Sequence, residues 1–329
     1  MKLILLINFL QHNKKMIAEK EENNTIIKIN NENYIFQKVL GKGTYGEVVK
    51  VLHEKTKEAA AIKKIKLDVE SEGIPATTLR EIAILKNCDH PNIVKLFHCE
   101  CSDKKIQLLM EYLEYDLKKY WDLLYKKNNA KPDLEKIRGI MYQIFKAVEY
   151  LHAQKIVHRD LKPMNILINE NEEIKIADFG LSRTYTIPIK KYTKEVLTLW
   201  YRSHELILGG DYYSIGIDMW SLGCIFGELL LGQPLFKGES EINQLLKIHE
   251  ILGSPDEESL RGYKTFINYS ETLPYFATGK LESLMAQKSN ADTHAMDLLK
   301  KLLLYDPSKR INSKDAMKHP FFNGLNNNK

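Results

Sequence analysis

His158-Arg159-Asp160-Leu161-Lys162-Pro163-Met164-Asn165 is followed at a short interval by Asp178-Phe179-Gly180, and no other stretch constrains this chain so tightly. Between the two strings lie Ile166-Leu167-Ile168 and Ile174-Lys175-Ile176, apolar runs that read as short strands. Moving a phosphoryl group onto a hydroxyl needs an acceptor for the departing proton, which Asp160 supplies. It also needs oxygen or amide ligands that hold a metal against a triphosphate, which Asn165 and Asp178 supply. Charge, more than covalent chemistry, lowers the barrier of such a transfer. Alone, Asp-Phe-Gly is an ordinary turn and His-Arg-Asp can cap a helix. Together, in this order, with an Asn five residues after the Asp and a strand pattern between, they point to phosphoryl transfer.

An upstream segment completes the expected site. Gly41-Lys42-Gly43-Thr44-Tyr45-Gly46-Glu47-Val48 lies between two alternating runs, Tyr34 to Leu40 and Val48 to Leu52, which places the glycines at the tip of a hairpin. In a dinucleotide-binding unit the same spacing would open a helix, and the strand-like residues after it argue against that. Glycine lets the backbone approach phosphate oxygens and offers N–H donors to them, so the loop is read as a lid over a nucleotide. Ala61-Ile62-Lys63-Lys64-Ile65 reads as a strand whose Lys63 reaches the phosphates, with Glu81, on the helical stretch Thr77 to Lys86, as its partner. Lys64 competes for the role, but strand alternation sends neighbouring side chains to opposite faces.

From about Tyr34 to Phe322 these strings resemble the eukaryotic protein kinases, and more narrowly the cyclin-dependent kinases. Pro75-Ala76-Thr77-Thr78-Leu79-Arg80-Glu81 resembles the PSTAIRE-type helix by which that subfamily engages a cyclin. Thr193-Lys194-Glu195-Val196-Leu197-Thr198-Leu199-Trp200-Tyr201-Arg202 resembles its activation segment, and Ser240 to Leu245, running on to Leu252 to Glu257, its C-lobe insert. The resemblance implies an α+β, bilobal fold: a mainly β N-lobe over about 34–110 with the helix carrying Glu81, a hinge at about 110–113, and a mainly α C-lobe over about 114–322. A poorly ordered extension at 1–33 and a tail at 323–329 flank it. ATP and Mg²⁺ are the implied cofactors. Asp160, Lys162 and Asn165 are the implied catalytic residues, and Asn165 and Asp178 the metal ligands. Nucleotide contacts are implied at Gly41, Gly43, Gly46, Val48, Ala61, Lys63, Glu81, Glu111, Leu113, Asp116, Leu167 and Asp178.

The same resemblance implies a choice of substrate and a mode of control. Lys162 matches serine/threonine kinases, and Leu197 and Arg202 match positions forming a pocket in which a backbone N–H would lack a partner, so proline fits best after the acceptor. Arg80, Arg159 and Arg183 match three arginines that converge on a phosphorylated threonine, here Thr193. Thr44 and Tyr45 match inhibitory sites under the glycine loop. Glu195 stands where a mitogen-activated kinase would have tyrosine, which favours the cyclin-dependent branch. The expected partners are a cyclin, proteins with Ser/Thr-Pro sites and a small regulatory subunit on the C-lobe. Without a cyclin the helix is expected to swing outward, parting Glu81 from Lys63.

Two departures stand out. Ser203-His204-Glu205 replaces the usual Ala-Pro-Glu and is expected to soften the end of the activation segment, with Glu205 still pairing with Arg310; Thr78-Leu79 replaces Ala-Ile of the commonest cyclin helix. The rival readings are a catalytically impaired scaffold and a cyclin-independent kinase of the same group. The scaffold would be expected to lack one or more of Lys63, Glu81, Asp160, Asn165 and Asp178, and all five are present.

Composition bounds the rest. The chain has 329 residues, 44% of them hydrophobic, enough for a substantial core. Its net charge of +5 comes from 48 basic and 43 acidic residues that are interspersed, which argues against a nucleic-acid partner. The four cysteines lack zinc or disulfide spacing, implying a reducing compartment, cytoplasm or nucleus. Met1 to Leu10 is apolar but passes to Gln11-His12-Asn13-Lys14-Lys15 with no small-residue cleavage site, so a poorly ordered extension or a membrane-touching tail is expected rather than an export signal. Met219 to Leu231 is too short to span a bilayer and carries Glu228, so it is expected to be a buried helix, with no transmembrane segment in the chain. The Asn-rich stretch Asn23 to Asn33 is expected to be a solvated linker.

Overall fold

The computed structural model describes residues 25–43, 46–66, 75–102, 105–126, 132–184, 199–210, 214–260, 266, 268 and 273–325. Contacts divide them into two units: the described residues through Asp89 with Val94–Tyr112, and His90–Ile93 with Leu113 onward.

The first unit is a six-stranded antiparallel sheet in the order β1-β2-β3-β4-β6-β5, with one helix. Its elements are β1 (Ile26–Ile29), β2 (Glu32–Gly43), β3 (Gly46–His53), β4 (Ala59–Lys66), α1 (Ala76–Asn87), β5 (Leu96–Ser102) and β6 (Lys105–Glu111). Alternation decides which face each residue takes. Val49, Val51, Ile62 and Leu109 pack with Ile29, Phe36 and Ala60 on one side of the sheet. Val48, Lys63 and Leu108 are register partners across β3, β4 and β6 and share the opposite face.

The sheet begins ahead of Tyr34. Ile26 to Ile29 pair with Ile35 to Glu32, and Ile29 is fully buried, so the stretch read as a linker supplies an edge strand and a core side chain. Asn30 and Asn31 form the two-residue turn, with φ of 51° and 60°. Asn tolerates this left-handed conformation better than most residues, and a right-twisted hairpin needs it at both positions.

The second unit is mainly helical. After β7 (Tyr115–Asp116) come α2 (Leu117–Trp121), α3 (Leu134–Ala153), β8 (Ile156–Val157), β9 (Ile166–Ile168), β10 (Ile174–Ile176) and β11 (Arg183–Thr184). Then follow α4 (His204–Ile207), α5 (Gly216–Leu231), α6 (Glu241–Leu252), α7 (Leu281–Lys288), α8 (Thr293–Leu302) and α9 (Ser313–Ala316). Ile137, Ile140, Met141, Ile144, Phe145, Val148 and Leu151 form one buried stripe on α3. Asp133 caps that helix by accepting from Glu135 N. Gly216 through Leu230 on α5 are all buried, which is why its sequence is mostly apolar, with Asp218, Ser221 and Glu228 as buried polar exceptions. His90–Ile93 belongs to this unit: Asn92 Nδ2 donates to Ile174 O at 2.9 Å and Gln143 Oε1 at 3.1 Å, and Ile176 N donates back to Asn92 O. Among the described residues no helix is long and apolar enough to cross a membrane.

Candidate active site

Each unit carries part of the expected site. In the first, Lys63 Nζ donates to both oxygens of Glu81 at 2.7 and 2.8 Å. Lys63 is half-buried on β4 and Glu81 is 4% exposed on α1. Lys64 turns to the other face and meets Glu47 at 3.1 Å, so alternation separates the two lysines as expected. The Lys63–Glu81 pair is closed in this structure.

Gly43 pairs with Gly46, so the glycine string does close a hairpin. Gly46 cannot be replaced freely: a Cβ there would lie 1.8 Å from the carbonyl oxygen of Lys64, across the strand pair. Gly41 is exposed with open space around its Cα, the condition for close approach of a ligand. Val48 and Ala61 lie on the face of Lys63. Glu111 ends β6, where its backbone N–H donates to Lys95 O. The chain leaves the first unit after Tyr112, inside the expected hinge.

The second unit holds the catalytic string. Lys162 Nζ donates to Asp160 Oδ2 at 2.7 Å, and Asn165 Nδ2 donates to Asp160 Oδ2 at 3.0 Å and to its carbonyl at 2.8 Å. With the amide nitrogen so engaged, the Oδ1 atom of Asn165 is the one that can ligate a cation. Ala177 N donates to Asn165 O at 2.9 Å, bringing Asp178 next to it in sequence and space. Asp178 is exposed and adopts φ of 66°. That strained, left-handed backbone is the kind found where side-chain direction matters to function. Leu113 is buried, Asp116 caps α2 by accepting from Lys119 N, and Leu167 is the register partner of Asp116.

A supporting network lies beneath, and Asp218 is its centre. Oδ2 accepts from His158 N at 2.8 Å and meets His152 Nε2 at 2.9 Å, while Oδ1 accepts from Arg159 N at 2.8 Å. Burial pushes the Asp218 carboxyl up, but His152, His158 and the Arg159 N–H outweigh it and hold it below the usual range. The two backbone bonds hold Arg159 at φ of 72°, so Asp160 leaves the turn in a fixed direction. His158 Nε2 meets Ala177 O at 3.1 Å and its ring packs edge-on against Phe179 at 5.0 Å, tying the two strings together. Sequence reading missed Asp218. Its signal was an acid, like Glu228, inside a mostly apolar helix, where a charge must find partners.

The Ser203-His204-Glu205 departure sits on a rigid platform. Glu205 receives Arg310 Nη1 and Nη2 at 2.7 and 2.9 Å, and Arg310 also donates to Gly216 O, Tyr305 O and Leu304 O. His204 is fully buried, edge-on to Trp220 at 5.0 Å and to Tyr305 at 4.9 Å. The ring fills a position between these two aromatic side chains. Burial lowers the His204 pKa to about 3, so the ring is neutral.

A metal fits the catalytic string. No group of three or more His, Cys, Asp and Glu that could hold a metal occurs among the described residues. Mg²⁺ bound through one carboxylate, one amide oxygen and substrate phosphates needs no such cage. Asp178 and Asn165 are that hard-oxygen donor set.

The family model for the protein kinase domain matches residues 34–322. The chain belongs to the protein kinase family. In this kinase the curled sheet and the helical unit are the bilobal fold expected from the motifs. Several expected residues lie outside the described ones: Thr44, Tyr45, Thr193 and Leu197. Arg80 is half-buried on α1, Arg159 lies beside Asp160, and Arg183 is placed by its backbone on β11 opposite Val157.

Proposed function

We propose that this kinase transfers the γ-phosphoryl group of ATP to serine or threonine followed by proline, under the control of a cyclin and of phosphate on Thr193. The observation that carries the reading is the Lys162–Asp160–Asn165 cluster. Asp160, as carboxylate, accepts the proton of the substrate hydroxyl, with Asn165 orienting it through two hydrogen bonds. Lys162 brings a cation to the same carboxylate, beside the phosphate in transit. Lys63, aligned by Glu81, offers its charge to the α and β phosphates. Bound Mg²⁺, held by Asp178 and Asn165, would neutralise charge on the phosphates. Serine or threonine is favoured because Lys162 stands two residues after the base. Proline at the next position is favoured by the match of Leu197 and Arg202.

A peptide array tests this: phosphate transfer from Mg-ATP to Ser-Pro and Thr-Pro peptides, compared with Ser-Ala and Tyr-Pro, with and without added cyclins. Transfer to Ser-Ala as fast as to Ser-Pro would remove the proline preference. The second reading is a cyclin-independent kinase of the same group, in which the Lys63–Glu81 pair would stay closed without a partner. Full turnover by a monomer, verified by native mass, would select it.

A further inference from the structure

Glu228 is 2% exposed on α5, and its two oxygens have partners from different parts of the second unit. Oε1 accepts from Lys118 Nζ on α2 at 2.8 Å, and Oε2 accepts from Tyr201 OH at 2.5 Å. The Lys118 ammonium also lies 3.3 Å from Asp122 Oδ1. Tyr201 closes the short turn Leu199–Tyr201, which is fastened at further points. Ser221 Oγ donates to Tyr201 O at 2.9 Å, Trp200 Nε1 donates to Gly238 O at 2.9 Å, and Arg202 Nη1 lies 3.2 Å from Glu241 Oε1.

A buried carboxylate persists only when its partners compensate for lost water. Ser221, Gly238 and Glu241 fix the backbone and the flanking side chains of the turn, whereas among the described residues Glu228 is the one that accepts from the tyrosine hydroxyl. Without Lys118, Glu228 would keep the neutral hydroxyl as its remaining partner here; it would then take up a proton or turn toward solvent. Either change removes the acceptor that sets the direction of the tyrosine ring. The lysine is half-buried, and although burial opposes its charge, Glu228 and Asp122 hold its pKa above the usual lysine value. Nothing in the catalytic chemistry uses it.

We propose that Lys118 is a positioning residue for the peptide substrate: through Glu228 it fixes Tyr201 and with it the Leu199–Arg202 strip beside which the residue after the acceptor would lie. This rests on the kinase reading. The test is steady-state kinetics of the full chain in its phosphorylated, partner-bound form with a Ser-Pro peptide. Lys118→Met should raise the peptide KM about tenfold, the loss of one charge-assisted bond. ATP KM and kcat should stay within about twofold. Lys118→Arg should restore most of the affinity. Tyr201→Phe should reproduce the Lys118→Met phenotype, and the double variant should be no worse than either single, as for members of one chain of contacts.

A second readout needs no turnover. Of the three tryptophans, Trp121 and Trp220 are 3% and 0% exposed while Trp200 is half-buried, so acrylamide quenching of tryptophan emission reports chiefly on Trp200. Quenching should rise in Lys118→Met and Tyr201→Phe. Unchanged peptide KM, parallel changes in both KM values and kcat, additive double-variant effects or unchanged quenching would each overturn the proposal. A parent chain that phosphorylates no peptide refutes the kinase reading instead, and the quenching experiment still decides the role of Lys118.

Discussion

Acid should unlock the platform at His204, and the size of the effect follows from its burial. The imidazole has an ordinary pKa of 6.5, and burial takes it to about 3 in the folded chain. Three charged or titratable neighbours bear on it: Glu205, 3.4 Å from Nδ1, favours the charged ring, while Arg310 and His249 oppose it. The folded pKa is depressed, so the unfolded chain binds the proton first. The stabilisation is therefore complete above about pH 6.5 and is lost as pH falls toward about 3. At about pH 5 the unfolded imidazole is almost wholly protonated and the folded one is not, a loss of about 2 kcal/mol relative to about pH 8. Glu205, held at about 2 by Arg310 against burial, contributes mainly below its ordinary 4.5, outside the comparison between about pH 8 and about pH 5. His249, lowered by burial to about 4, contributes within it, so the comparison must be with a variant that keeps His249. His204→Phe preserves the ring between Trp220 and Tyr305 and cannot titrate. The informative quantity is therefore the pH dependence of the two proteins, each referred to its own stability at about pH 8. Thermal melts at about pH 8 and pH 5 should show the parent losing about 2 kcal/mol more than His204→Phe, a difference of about 3 °C in Tm. Equal losses in the two proteins would refute the reasoning, as would an NMR titration of folded His204 near its ordinary pKa.

Asp160→Asn should reduce turnover by roughly 10² to 10⁴ while leaving ATP affinity nearly unchanged, measured by single-turnover transfer and nucleotide titration. Asp178→Asn should instead weaken Mg-ATP binding as well as turnover, since it removes the one carboxylate of the donor set. Gly46→Ala should raise the ATP KM and lower Tm, because its Cβ would meet the Lys64 carbonyl oxygen at 1.8 Å and backbone cannot yield as a side chain does. Glu205→Ala should cost on the order of 3 to 5 kcal/mol by leaving Arg310 charged and buried without its carboxylate, read as a Tm decrease with the far-ultraviolet spectrum retained.

The parts of the site that the sequence made legible are those where chemistry demands particular residue types at short spacing. Asp160, Lys162 and Asn165 lie within one turn-rich string, so their hydrogen bonds could be anticipated from order alone, and Lys63 was separated from Lys64 by strand alternation. Long-range partners were harder. Asp218 is 60 residues from His158, and nothing local marks it except a charge in an apolar helix. Lys118 and Glu228 are 110 residues apart, and a lysine on a short polar helix reads as solvated until the fold supplies its carboxylate. The Asn30-Asn31 turn erred the other way: composition suggested a linker, although Ile-Ile-Lys-Ile before it and Tyr-Ile-Phe after it carry the alternation of a hairpin. His204 shows the same limit at one position. Comparison with Ala-Pro-Glu treated proline as lost stiffness, whereas at the first residue of α4 either residue satisfies the backbone, since the N–H there needs no helical partner. What histidine changes is the space between Trp220 and Tyr305, and that space exists only once α4, α5 and the Tyr305 segment have packed together.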